Sequence, residues 1–223
     1  MSKNIKVRRI MMCIVGVLLC GISVGFFKKA AFGVDPFTSF MCGLDAVVPD
    51  SLVGYGTLYV IVNVVLLSFS LIFDRHYIGL ATFINLFLLG YITQFTHAVL
   101  DSIVPDAPMI VRIIFLIIAI FVMCFSAAMY FTADLGGSTY DAVALIMSDG
   151  WKVGPFKFVR IATDLTCVII GIILYILAGN SFSSVPEIVG VGTIITAFFM
   201  GPLVDFFNVK IMRPLLGAEK TEE

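Results

Sequence analysis

GVDPFTSFMCG, residues Gly33–Gly43, follows an apolar run that ends in Lys28-Lys29 and opens as a helix in water would, with Asp35 at a capping position and Pro36 at the first helical position. A second such start lies about a hundred residues on. Gly136-Gly137 there precedes Ser138-Thr139-Tyr140-Asp141, an S-x-x-D pattern of the capping-box kind. Each start leads into an apolar run of only about 13 residues (Pro36–Val48) or 9 residues (Thr139–Met147). At 1.5 Å per residue neither covers a hydrocarbon core of about 30 Å.

The surroundings make these short runs unusual. The chain has 223 residues, 60% of them apolar and 13% charged, with a mean hydropathy of +1.08. That composition cannot give a soluble domain a polar exterior, so an integral membrane protein is expected. Six runs are long enough to span: Ile10–Phe27, Gly54–Phe73, Tyr77–Leu100, Ile110–Phe131, Phe156–Leu177 and Val185–Phe207. The basic start of the chain, Met1–Arg9, is like a signal-peptide n-region, but no small-x-small cleavage site follows, and the first run is read as a retained span.

The halves repeat. Laying Arg9–Leu100 over Arg112–Phe207 aligns Arg9 with Arg112, Ser23 with Ser126, Ala30 with Ala133 and Gly33 with Gly136 without a gap. After a length change, Gly79-x-x-Thr82 falls on Gly190-x-x-Thr193, Gly90 on Gly201 and Phe95 on Phe206. The expected fold class is therefore an all-α polytopic membrane protein of two repeats, residues 1–104 and 105–209, followed by a cytoplasmic tail, 210–223. Three true spans per half is an odd number, so the repeats would be inverted and each short run a re-entrant half-helix. Lys3–Arg9, Arg75, Lys152, Lys157, Lys210 and Arg213 would then face the cytoplasm, with both termini, and only Lys28, Lys29 and Arg112 fall outside. An eight-span arrangement with parallel halves fits the charges about as well. Segment length favours six.

In the inverted arrangement the two capped starts meet near mid-membrane. Their free N–H groups and positive dipole ends would suit a small polar or weakly anionic solute. Gly33, Asp35, Pro36 and Thr38 from one start, and Gly136, Gly137, Ser138, Thr139 and Asp141 from the other, are the candidate solute-binding residues. The same caps would also serve any helix beginning in a surface loop. Arg160 and Asp164, four apart within an apolar run, complete the candidate set. They serve either as an intrahelical ion pair, with Arg160 snorkelling toward the interface, or as part of a solute or proton path. Asn63 is the candidate counterpart of Asp164 in the first half.

Other chemistry lacks support. The five cysteines form no C-x-x-C, two histidines make no metal cluster, and no P-loop, G-x-S-x-G or H-E-x-x-H occurs. No enzyme, metal or cofactor is expected. Membrane lipid, a small solute and a further copy of the chain are the partners such a chain admits, and nothing points to nucleic acid.

Longer motifs carry a family likeness: GFFKKAAFGVDPFTSFMCGL, GYGT, IGLATFINLFLLGYITQF and VGVGTIITAFFMGPLVDFF. With Ala30, Gly33 and Pro36, the two G-x-x-T elements and Gly201-Pro202, the chain resembles the YczE/YyaS/YitT group of bacterial membrane proteins, in its YczE-like branch. Thr139 stands where that pattern has proline, and Ala81 where the branch tends to have glycine. The resemblance implies a cytoplasmic-membrane protein and supplies no substrate or catalytic residue. The function expected is a secondary transporter or channel. The alternatives are a non-transporting partner of another membrane complex and the substrate-binding subunit of an ATP-driven vitamin importer.

Overall fold

The computed structural model describes residues 3–49 and 51–216. Ten α-helices follow in order among these: α1 Lys3–Ala30, α2 Pro36–Val47, α3 Tyr55–Phe73, α4 Leu80–Ile103, α5 Met109–Ala133, α6 Thr139–Leu145, α7 Phe156–Leu177, α8 Val185–Ile188, α9 Val191–Phe207 and α10 Arg213–Leu216. Six segments, built on α1, α3, α4, α5, α7 and α9, are long and apolar enough to cross a bilayer. Their outer faces show Ile, Leu, Phe and Val to the surroundings, as lipid contact requires. The chain is thus a multi-pass membrane protein, and α2 and α6 are too short to span.

Small residues bring α1 against both neighbours. Thr93 on α4 donates to the Gly21 carbonyl at 3.2 Å, and a Cβ at Gly25 would stand 2.6 Å from that of Thr96. The Gly21-x-x-x-Gly25 face is therefore a contact between parallel helices. On α5, Ser23 donates to Ala119 O at 2.7 Å, Cys20 meets Met123 at 3.6 Å, and Gly16 faces Ser126 O. Residue numbers rise on one helix as they fall on the other, so α1 and α5 run antiparallel. Replacing Gly25 with Leu would push α4 off α1, and overpacking of this kind costs about 1–3 kcal/mol. The expected result is a clear drop in melting temperature in detergent, against little change for Leu at Gly154, which has open space around it.

Loop-to-helix docking ties the halves together. Gly33 (φ +91°) donates to Glu187 O at 3.1 Å and Val34 to Ile188 O at 3.2 Å, while Gly192 donates to Phe32 O at 2.7 Å. At the other face Gly136 (φ +105°) sits against Gly79, Ala81 donates to Leu135 O at 3.0 Å, and Thr82 Oγ1 donates to Gly137 O at 2.7 Å. Each G-x-x-T element thus holds the loop that enters the other half's short helix. A side chain at Gly33 or Gly136 would meet backbone and would need a conformation that L residues adopt at a cost of about 1–3 kcal/mol. Gly33→Ala and Gly136→Ala should each lose folded, monodisperse protein on size-exclusion chromatography.

Two expectations change. The run Val185–Phe207 is broken at Val189-Gly190, because extended Gly190 and the pairing with residues 32–34 stop α8 before α9 begins. The stretch from residue 208, expected to start a tail at 210, instead continues as a π turn, Asn208–Met212, and α10. Met212 and Leu216 are buried in one cluster with Met12, Cys13 and Val17 of α1. The rest of that expected tail, 217–223, lies outside the described residues.

The basic residues Lys28, Lys29 and Arg112 all have protein partners. Lys28 pairs with Asp45 at 3.6 Å and lies over the Tyr55 ring, Lys29 pairs with Asp101, and Arg112 donates to Ala30 O and Ala31 O at 2.8 Å.

Candidate functional site

The starts of α2 and α6 meet inside the protein. Phe37 and Tyr140, the third residues of the matched stretches Asp35–Thr38 and Ser138–Asp141, stack with ring centroids 4.9 Å apart. From there the two helices diverge. α2 runs beside α7, Gly43 against Gly171, to the C-terminal end of α1, where Asp45 meets Lys28. α6 starts beside Asn63 on α3 and its π-turn extension ends at Trp151 against Phe69 and Phe73, with Asp149 3.3 Å from Tyr77 in the α3–α4 turn.

Both starts are capped by their own side chains. Asp35 accepts from Thr38 N at 3.1 Å, with Pro36 in the first turn, where its missing N–H leaves nothing unpaired. Ser138 accepts from Asp141 N at 3.0 Å and donates to Asp141 Oδ2 at 2.6 Å. In a capping box that carboxylate would reach back to the cap backbone. Here it is engaged by the Ser138 hydroxyl and by Arg160.

Arg160 turns to two carboxylates and an aromatic ring. Its guanidinium pairs closely with Asp141, its Nε lies 3.3 Å from Asp164 Oδ1, and it sits 4.4 Å over the Tyr140 ring. Tyr140 completes the cluster by donating to Asp164 at 2.7 Å. The pair expected within α7 is present, and the same guanidinium also ties α7 to the start of α6. Asn63, fully buried, supports that start from α3: it accepts from Thr139 Oγ1 and donates to Tyr59 O at 2.8 Å.

A cavity of about 1150 Å³ lies beside the two starts. Asp35, Pro36, Thr38, Gly136, Gly137, Ser138, Asp141, Arg160 and Asp164 line it, with Phe37, Tyr59, Asn85 and Tyr140. Gly33 and Thr139 do not: Gly33 is buried against Gly190, and Thr139 is turned to Asn63. Toward the face where α1 begins, the wall continues through His76–Leu80, Asp134, Asp205 and Asn208. Among the described residues, the connections at the opposite face, 48–49, 51–54, 104–108 and 178–184, contribute nothing to it. Sequence reasoning missed the aromatic pair, although Phe37 and Tyr140 share one repeat register directly behind the caps. It also missed Asn85, which no local pattern marks.

The two halves are not packed alike around this space. Between α3 and α4, Gly56 N donates to Gln94 Oε1 at 2.9 Å, Thr57 and Tyr91 hydroxyls lie 3.1 Å apart, and a Cβ at Gly90 would stand 2.5 Å from Tyr59. At the matched position on α9, Gly201 has no atom within 4 Å of where its Cβ would be, and the cavity separates α9 from Phe156, Arg160 and Asp164 of α7.

The comparisons with known proteins bear on the whole chain rather than on this site. It is 24% identical over 203 residues, 91% of its own length and 84% of the relative's, to a Haemophilus influenzae protein described as "Uncharacterized protein". No solved structure matches it. Residues 7–209 match the family of unknown function DUF6198, and the chain belongs to that family.

Proposed function

We propose that this protein is a secondary transporter for a small polar solute, built of two inverted repeats, with its solute site between the starts of α2 and α6. The observation that supports this most is the stacking of Phe37 on Tyr140 at the wall of a cavity that reaches one face of the protein. Broken helices meeting at mid-depth, with irregular backbone only where protein or a cavity covers it, are how transporters expose polar groups inside a bilayer. Inversion is supported by the antiparallel course of α1 and α5 and by the reciprocal docking of Gly33 on Gly190 and Gly136 on Gly79. The positive-inside distribution supports a cytoplasmic α1 N-terminus, and the likeness to the YczE/YyaS/YitT group supports the cytoplasmic membrane as the location.

The unequal packing of the halves supplies the motion. Here α3 is closed on α4 while α7 stands off α9. If the halves exchange these arrangements, α9 closes on α7 at Gly201, α4 opens from α3 at Gly90, and the cavity reaches the other face. A channel would need an opening at both faces at once.

Purified protein in liposomes should take up or exchange a small polar solute without ATP or other chains. Stoichiometric co-purification with an ATPase pair would favour the importer subunit instead. A stable large partner with no flux across a broad solute screen would favour the regulatory reading.

A further inference from the structure

We propose that the solute is a cation, a small protonated amine that also carries a hydroxyl or carbonyl oxygen; this rests on the transporter reading above.

The helix starts look at first like an anion site, since free N–H groups and positive dipole ends point into the cavity. Their own carboxylates already occupy that position, Asp35 on α2 and Asp141 on α6 through Ser138. An anion entering here would meet acceptors first. The local charge count points the same way. Asp141 and Asp164 share the single guanidinium of Arg160, which leaves one negative charge in that cluster. Asp35 makes no ion pair among the described residues, yet it lines the same cavity at mid-depth. A carboxylate in that position in a membrane calls for a positive partner. Asp205, along the route to the α1 N-terminal face, extends the same sign, while Asp134 on that route is offset by Arg9 at 3.6 Å.

The wall beside Asp35 fits an organic cation better than a bare ion. Phe37 is held by stacking on Tyr140 and by an edge contact with Tyr59 at 5.9 Å, and aromatic faces attract ammonium groups. Asn85 independently points to a ligand. It is only 8% exposed, lines the cavity, and takes the Tyr59 hydroxyl on its Oδ1 at 3.1 Å. Its amide nitrogen makes no protein hydrogen bond among the described residues and is not sealed off from the cavity, so it is free to donate to a ligand oxygen there. An oxygen close to the amine supplies that acceptor.

Three probes of matched size decide the charge: ethanolamine, ethylene glycol and glycolate. Ethanolamine should raise the melting temperature of the purified protein in detergent, and the other two should not. Asp35→Asn keeps a good helix cap while removing the charge, so it should fold and bind ethanolamine about tenfold or more weakly. Asp35→Glu should retain most of the binding. Stabilisation by glycolate or ethylene glycol, and none by ethanolamine, overturns the inference and leaves the transporter reading standing. So does undiminished ethanolamine binding in Asp35→Asn. Ethanolamine binding without flux of any of the three in liposomes would uphold the cation site and count against transport. Should Asp35→Asn not fold, the response of the native protein to the three probes decides alone.

Discussion

Gly201→Leu is expected to fold as the native protein does and to lose flux. In the arrangement described, a Cβ at Gly201 would meet nothing within 4 Å beyond its own helix, and the residue lines the cavity, which has room for the added side chain. In the exchanged arrangement α9 closes on α7 there, as Gly90 closes on Tyr59 in the first half. Overpacking at a closed contact costs about 1–3 kcal/mol, which lowers the population of that state roughly 5- to 150-fold. Melting in detergent should hardly move, and uptake into liposomes should fall by a factor in that range. Gly90→Leu is the mirror experiment: it strikes the contact already closed here, so it should lower the melting temperature. Equal effects of the two substitutions on stability would mean that the halves do not differ as described.

Arg160→Gln should be the most damaging single change at the site. It leaves Asp141 and Asp164 facing one another across a space that the guanidinium now fills, and removing one partner of a buried pair costs about 3–5 kcal/mol. Because the cluster borders the cavity, the low end of that range is expected. Adding Asp141→Asn and Asp164→Asn to Arg160→Gln removes the uncompensated charge, and Asn remains compatible with the Ser138 and Tyr140 hydrogen bonds. Melting should recover. Flux should not, if the cluster faces the solute. A neutral triple variant that is both stable and fully active would reduce Arg160, Asp141 and Asp164 to a structural tie between α7 and α6.

What could be read from the chain was what is local in it. Length and apolarity identified six spans and two short helices, because a bilayer sets a minimum length and Pro36–Val47 and Thr139–Leu145 fall below it. Asp35 and Ser138 were legible as caps, since capping is decided within a turn of helix. The break before α9 was not, because Gly190 is held extended by residues 32–34, more than 150 positions earlier. Nor was the second partner of Arg160. Its spacing from Asp164 indicated the pair within α7, which is present, whereas Asp141, which it also meets, belongs to another helix. The repeat alignment put Phe37 in register with Tyr140 but not in contact with it, because sequence symmetry does not say which matched residues lie at the axis. Cys20 and Met123, also matched and also touching, are a second such pair.

The central claim is that the halves enter the membrane in opposite senses, so that two helix starts meet at mid-depth. Single cysteines at Leu52, Asp106, Gly179, Arg75 and Lys152, on a background lacking the native five, test it with membrane-impermeant reagents. Positions 52, 106 and 179 should label from one side of the membrane, and 75 and 152 from the other. Labelling of 106 and 152 from the same side would mean that the segment containing α6 crosses the bilayer instead of turning back, and the paired re-entrant starts would then be contradicted.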